Sequence, residues 1–554
     1  MVQEFLQVTY DANNKIWTSS HYPYKEQIKG SMGERFLKTM RSIDPNKIID
    51  QFYDTNKQKT AKEVYEQSIA VAKNMQRLGI KKGDVVVFFS MNNEDVAVLT
   101  MGCILIGALV NYFEVFMEGE HIDYVFDIVK PTIVLYEEKH KTKCLQSLER
   151  TKLKSCKYVL SIDGQEQPNI KSELLTYDGV IDYDKFESVE VKDPQNELCF
   201  LALTSGSTGI PKVVQITHTL MLHGIHIWWD NKNHYEPLNS ETVVFSFSPL
   251  RWISQCAMLL ESMLMGIKRV SSCGAPTGKY GLEVLRKSQI SHIFVAPSIF
   301  YNILLELEDQ DVESLKSLKL ILLGGEPASK VLLDLAKKHC VNAKVYQCYG
   351  MTEMTSCISN DEDINGGKLL PGYQMQILDD QCKPLGPNQK GQIALKPPFS
   401  LKGYKSIDCQ KYYNDQGMFI NGDYGVIDDQ GNLHVLARYK DLIYSNNLTL
   451  IPNPLEHTVM ELPEICVARL AGYRKSPEDC NEIGAFFVVL NQGVTTPQAE
   501  ISKNIFKLLK SHLTAEELAV IQDIYYVESV PVTTCGKVDR VALKNLALKK
   551  SQIK

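Results

Sequence analysis

The chain has 554 residues, more than one hydrophobic core ordinarily holds, so more than one domain is expected. Its 44% hydrophobic and 23% charged residues are ordinary for a globular protein, which argues against a disordered or fibrous chain. The net charge of -6 excludes a broad positive field for nucleic acid or anionic membrane, so any phosphate binding must be local.

The N-terminus, Met-Val-Gln-Glu-Phe-Leu, lacks the basic and apolar regions of a secretory signal. Residues 61–78 have helical periodicity, and residues 84–90 form an apolar run that reads as a buried strand. The segment 96–110 is apolar but too short to cross about 30 Å of hydrocarbon, and is read as a buried helix. Residues 132–136, 292–296 and 319–323 read as further buried strands, and 329–339 as a helix. Strands alternating with helices predict an α/β fold of layered, largely parallel sheets, with ligands at the carboxyl ends of the strands. From about Gly391 the pattern changes: residues 391–395 and 432–436 look like antiparallel strands, with Asp428-Asp-Gln-Gly431 a turn. A compact α+β segment follows Arg438-Tyr-Lys-Asp441. The 14 cysteines are scattered with no Cys-x-x-Cys pair, so neither a zinc site nor a disulfide framework is indicated.

Residues 200–203 run as an apolar strand directly into Thr204-Ser-Gly-Ser-Thr-Gly-Ile-Pro-Lys212. Small residues let a backbone approach a ligand closely, successive N–H groups can cradle an anion, and the hydroxyls and one ammonium add donors. The combination suits a polyphosphate. It is not a Walker A loop, which requires Gly-Lys followed by Ser or Thr. The competing reading of such a loop is a Gly/Ser-rich surface linker.

The segment 203–212 resembles the signature of the acyl-adenylate-forming superfamily: acyl-CoA synthetases, 4-coumarate:CoA ligases, peptide-synthetase adenylation domains and beetle luciferases. Three further segments match in order: Tyr349-Gly-Met-Thr-Glu353; Gly422-Asp-Tyr-Gly-Val-Ile-Asp428, continuing to Arg438-Tyr-Lys-Asp-Leu-Ile443; and Pro531-Val-Thr-Thr-Cys-Gly-Lys-Val-Asp-Arg540. The resemblance covers roughly residues 30 to 545, and Gly33-Glu-Arg-Phe-Leu-Lys38 looks most like the insect luciferase-like acyl-CoA synthetases.

The resemblance implies an N-terminal AMP-binding domain over residues 1–437 that includes a small barrel-like β part, a hinge at 438–441, and a mobile α+β cap over 442–554. It implies ATP, Mg²⁺ and CoA as cofactors and a small carboxylic acid as substrate. Thr204, Ser205, Gly206, Ser207, Thr208, Gly209 and Lys212 would hold the β- and γ-phosphates. Thr352 would touch the α-phosphate and Glu353 would ligate Mg²⁺, with Tyr349 and Gly350 in the same motif. Gly324, Gly325 and Glu326 would lie beside the adenine; Asp423, supported by Arg438, would accept the ribose hydroxyls. Lys537 would bridge the carboxylate and the α-phosphate, and Lys440 marks the hinge. His218 and Trp252 are expected at the acyl pocket. His223 and His226 lie side by side on a helix, a pattern that seldom means a metal site.

This chain departs from the family at Val213, where a glycine usually follows the lysine, and at Asn446-Asn447, where relatives have a Gly-Gly turn on the pantetheine path. Asparagine is the next best residue for positive φ. Pro452-Asn-Pro-Leu-Glu456 lacks one acid, and Ala437 replaces a Gly or Asp. The expected reaction is acid plus ATP giving acyl-AMP and pyrophosphate, then acyl-CoA and AMP. The apolar segments 221–229 and 245–250 predict a medium- or long-chain fatty acid. The alternatives are a luciferase that oxidises the same adenylate and a non-catalytic nucleotide or acyl sensor. The C-terminus Ser-Gln-Ile-Lys is not a Ser-Lys-Leu address, so cytoplasm is the default location, with the peroxisome suggested by family analogy.

Overall fold

A computed structural model describes residues 8–19, 26, 28–117, 119–204, 211–228, 238–308, 311–361, 367–446, 448–476, 478–532 and 538–553. It divides into two compact units, one comprising Met1–Thr9, Thr18–Gln374 and Lys396–Lys411, the other Tyr10–Trp17, Met375–Leu395 and Tyr412–Lys554.

The first unit contains two sheets. In one, the neighbours run Gly367–Leu369, Ser356–Asp361, Lys344–Met351, Leu320–Gly324, His292–Val295, Val243–Ser246, Lys268–Ser271, Ile48–Phe52 and Lys57–Thr60. Pairing is parallel from Lys344–Met351 through to Ile48–Phe52. Leu320–Gly324 and His292–Val295 are buried at every position, which is why their sequences read as continuous apolar runs. The other sheet has the order Val213–Thr217, Leu198–Leu203, Leu109–Tyr112, Val85–Phe89, Ile133–Tyr136 and Tyr158–Ser161. It is parallel except at Val213–Thr217, which pairs antiparallel with Leu198–Leu203. The α/β layering expected from the sequence is present, and the helices predicted at 61–78 and 329–339 are Ala61–Arg77 and Lys330–His339.

One expectation needs correction. The apolar segment 96–110 is not a single helix: the helix is Val96–Leu105, and a strand begins at Leu109. Gly107, at φ +70, turns the chain where another helical turn would have followed. Among the described residues no helix is long and apolar enough to cross a membrane.

In the second unit, Gln374–Leu378, Gly391–Lys396, Phe419–Ile427 and Asn432–Arg438 are successive neighbours, and the pairs from Gly391 to Arg438 are antiparallel. Ile465–Tyr473, Ile483–Leu490 and Ile521–Tyr526 form a separate three-stranded sheet. The helices Pro452–Val459 and Gln498–Leu509 pack on it through Leu455, Val459, Ile501, Ile505 and Leu509.

The helix His218–Trp228 is buried at every residue and packs against the turn that follows Met354. Thr355 takes φ +59, its hydroxyl donates to the Leu220 carbonyl at 2.8 Å, and Trp228 Nε1 donates to the Thr355 carbonyl at 3.1 Å. A Cβ at Gly224 would lie 2.5 Å from that same carbonyl oxygen. Gly224→Ala is therefore expected to destabilise the fold by about 1–3 kcal/mol through overpacking, although alanine ordinarily favours a helix. Urea unfolding checks this, and an unchanged midpoint would mean that the helix can slide away from Thr355.

Candidate functional site

The strands that flank the loop expected to hold phosphate form an antiparallel pair. Leu203 faces Val213 across the antiparallel pair, Thr204 N–H donates to the Lys212 carbonyl at 2.9 Å, and Lys212 N–H donates to Thr204 Oγ1 at 3.1 Å. Ser205, Gly206, Ser207, Thr208 and Gly209 lie outside the described residues. Val213 starts a strand and is fully buried, so its branched side chain serves the sheet rather than the loop. The Lys212 ammonium stands 4.7 Å from the centroid of the Tyr404 ring. The Tyr404 hydroxyl donates to Glu353 Oε1 at 2.5 Å. One buried tyrosine thus joins the loop lysine to the carboxylate of the Thr-Glu motif.

Four parallel strands deliver the other residues to one edge. Val243–Ser246 leads to Trp252, His292–Val295 to the helix Pro297–Leu305, Leu320–Gly324 to Gly325 and Glu326, and Lys344–Met351 to Thr352 and Glu353. Glycines are required at this edge for space. A Cβ at Gly324 would lie 2.7 Å from Phe294 Cε2, and one at Gly350 would lie 2.5 Å from the Ser356 carbonyl oxygen. Gly325 has φ +95, and the Trp252 ring comes within 3.3 Å of where its Cβ would be. Glu326 accepts from Ser298 N–H at 2.8 Å, in the first turn of the helix Pro297–Leu305, where a carboxylate is favoured. Tyr349 is half-buried and precedes a break in strand register at Gly350, and Thr352–Met354 is a single 3-10 turn.

The histidines have separate surroundings. His218 is 2% exposed, with Nδ1 3.5 Å from the Met32 N–H that donates to it. His223 Nε2 is 3.1 Å from the Tyr373 hydroxyl, which also bonds Ser356 Oγ at 2.5 Å. His226 Nε2 is 2.7 Å from Arg35 Nη1. Among the described residues no group of three His, Cys, Asp or Glu could hold a metal ion. Mg²⁺ bound chiefly through substrate phosphate oxygens needs only one or two carboxylates, so Glu353 fits that use.

In the second unit, Asp423 lies within the strand Phe419–Ile427, not in a turn as an Asp beside a Gly suggests. It faces Arg438 across the sheet, and Arg438 Nε is 3.0 Å from Asp423 Oδ1. Lys440 is in the 3-10 turn Tyr439–Asp441. Lys537 and Asn447 lie outside the described residues. Asn446 has φ +50, the conformation that the glycine of relatives would supply, and it exchanges two 2.8 Å hydrogen bonds with Asn481.

Tyr404 is the residue that sequence reasoning missed. It follows Gly403 in a loop with no periodicity, and it is 51 positions from Glu353, so only the tertiary structure reveals the pairing.

Residues 42–405 match the family described as AMP-binding enzyme. The chain is 24% identical over 514 residues to 4-coumarate-CoA ligase 1 of Narcissus pseudonarcissus, covering 90% of each protein. It is 25% identical over 560 residues to luciferin 4-monooxygenase of Photinus pyralis, covering 97% of this chain and 98% of the relative. The crystal structure of the anthranilate CoA ligase AuaEII with anthranoyl-AMP matches the fold with TM-score 0.81 at 17% identity, over 94% of this chain and 98% of the other.

Burial holds His223 down to about 3 and His218 down to about 4, from an ordinary 6.5. Both stay neutral in the folded chain at pH values where the unfolded chain takes up protons. Their contribution is fully present above about pH 6.5 and is lost as pH falls towards 3, at up to about 1.4 kcal/mol per pH unit for each. The thermal midpoint of the wild type should fall steadily below pH 6.5, and His223→Gln should flatten part of that slope. Parallel profiles would remove His223 as a cause.

Proposed function

Because the chain belongs to the AMP-binding enzyme family, we propose that it is an ATP-dependent acid–thiol ligase that forms an acyl-adenylate and passes the acyl group to CoA. The observation that carries this reading is the Lys212–Tyr404–Glu353 arrangement, which sets an ammonium and a carboxylate around a single tyrosine next to the strand that follows the Ser/Thr/Gly segment. Adenylation brings together two anions, and preorganised charges and donors reduce the cost of that encounter. In this reading Thr204, Lys212 and the loop hydroxyls hold the leaving pyrophosphate, and Thr352 meets the α-phosphate. Glu353 carries Mg²⁺, which would neutralise phosphate charge when bound. Gly324, Gly325 and Tyr349 border the adenine, and Asp423 with Arg438 receives the ribose. Lys537 supplies the charge that stabilises the transition state, and residues 438–441 are the hinge between the domains 1–437 and 442–554. The positive φ of Asn446 supports retention of the thiol step, because that residue keeps the backbone conformation that glycine would give.

The acid in this proposal is hydrophobic. The helix His218–Trp228, whose apolar sequence suggested a fatty acid, is wholly buried, and its Gly224 and Trp228 are committed to packing against Thr355. Its composition is therefore accounted for without an alkyl chain. Trp252 set against Gly325 suits a planar acid, and relatives are named for coumarate and anthranilate, so an aromatic acid is placed ahead of a fatty acid. The likeness to luciferin 4-monooxygenase favours a second reading, oxidation of a luciferyl adenylate. Adding luciferin, ATP and Mg²⁺ and finding no light would dispose of it.

Pyrophosphate release measured across aryl and alkyl acids tests the main reading. The expected outcome is turnover with apolar acids, aryl acids giving the higher kcat/KM. Absence of turnover with every acid, while ATP still binds, would favour a nucleotide sensor. Lys537→Ala should retain ATP binding and lose about 3–4 kcal/mol of transition-state stabilisation, seen as a fall in adenylation rate. Unchanged turnover would overturn the role of Lys537.

A further inference from the structure

Tyr404 is buried at 5% exposure, and every part of it is held. Its segment is zipped onto the strand Val213–Thr217: Val214 and Tyr404 form a β-bridge, Gln215 N–H donates to the Gly403 carbonyl at 2.9 Å, and Lys405 N–H donates to the Val213 carbonyl at 2.8 Å. The Tyr404 N–H donates to Cys409 Sγ at 3.1 Å. Gly403, at φ +69, gives the chain its turn into this position, and a Cβ there would lie 2.5 Å from Cys409 Sγ. The backbone of Tyr404 is thus fixed to the same strand that carries the C-terminal side of the phosphate loop. From that position its two chemically distinct parts serve two groups. The ring face lies under the Lys212 ammonium at 4.7 Å, within the range of a cation–π contact. The hydroxyl donates to one oxygen of Glu353 at 2.5 Å, a charge-assisted hydrogen bond.

We propose that Tyr404 is a positioning residue for the metal–nucleotide complex: its hydroxyl caps Glu353 Oε1 and so orients Oε2 for the cation, while its ring holds the Lys212 ammonium in place for phosphate. This rests on the reading of Glu353 and Lys212 given above. The two functions separate chemically. Removing the hydroxyl takes away its bond to the carboxylate and leaves the ring under the lysine, whereas removing the ring takes away both contacts.

The test uses the full chain and direct binding in place of turnover: titration with ATP in EDTA, and with ATP in the presence of Mn²⁺ read by electron paramagnetic resonance. Tyr404→Phe should raise the Mn²⁺ concentration for half-saturation of the ATP-loaded protein about tenfold and leave metal-free ATP affinity unchanged. Tyr404→Leu should do the same and also weaken metal-free ATP binding about fivefold. Wild-type Mn²⁺ binding in Tyr404→Phe overturns the proposal, as does a uniform loss of both affinities with a lowered thermal midpoint, which is the signature of packing alone. Glu353→Gln separates the two levels. If it leaves Mn²⁺ binding intact, the assignment of Glu353 fails and the role of Tyr404 fails with it. If Glu353→Gln loses Mn²⁺ and Tyr404→Phe does not, only the tyrosine is wrong.

Discussion

The constraint on which the first unit depends is the parallel register of the strands Val243–Ser246, His292–Val295, Leu320–Gly324 and Lys344–Met351. His292–Val295 and Leu320–Gly324 are buried at every position, and a slip of one residue would move every side chain to the opposite face of the sheet. The register therefore fixes where each chain leaves the sheet. Trp252, the two glycines at 324 and 325, and the Thr352-Glu353 turn all follow from it. The glycines are a consequence of the crowding this produces, since Phe294 and the Ser356 carbonyl already occupy the space that side chains at 324 and 350 would need.

Charge is arranged locally on this scaffold. The whole chain is acidic, so it has no long-range field to attract a nucleotide. What it has is an antiparallel strand pair bonded between Thr204 and Lys212, with a tyrosine that keeps a cation and a carboxylate at its two ends. A polyphosphate with its metal carries both signs of charge, and the arrangement offers a partner for each. The histidines nearby do not add to it: burial keeps His218 and His223 neutral, and their hydrogen bonds go to a backbone N–H and a tyrosine hydroxyl.

The sequence showed the strands well because double-sided burial leaves no polar positions to blur an apolar run, as in Leu320–Gly324. It marked the Thr-Glu turn, because hydroxyl and acidic residues are concentrated there. It failed where meaning depends on a distant partner. Asp423 has the local appearance of a turn residue, and only the family resemblance paired it with Arg438; the structure sets the two opposite each other on neighbouring strands. The segment 96–110 has uniform hydropathy, so only the positive φ of Gly107 marks the change from helix to strand. Tyr404 carried no signal at all, since an aromatic after a glycine is common and its two partners come from other parts of the chain.

The end of the chain is held by a buried arginine. Arg540 closes the segment expected to carry the adenylation lysine, and its guanidinium is buried among fixed partners. It donates to Glu456 Oε1 at 2.5 Å, to the Leu470 carbonyl at 2.6 Å and to Asn453 Oδ1 at 2.9 Å, whereas its distance to Asp441 is 3.6 Å. Glu456 in turn accepts from Leu470 N–H at 2.8 Å, so the carboxylate is satisfied from both sides. Breaking a buried pair of this kind leaves an uncompensated charge and costs about 3–5 kcal/mol, whereas the 3.6 Å approach to Asp441 lies beyond hydrogen-bonding distance. If the chain rotates at the Tyr439–Asp441 turn, as proposed, the contact that yields is the one to Asp441. The contacts to Asn453, Glu456 and Leu470 travel with Arg540. Arg540 then stays with Asn453, Glu456 and Leu470, and Asp441 is a contact that can be released without disturbing them.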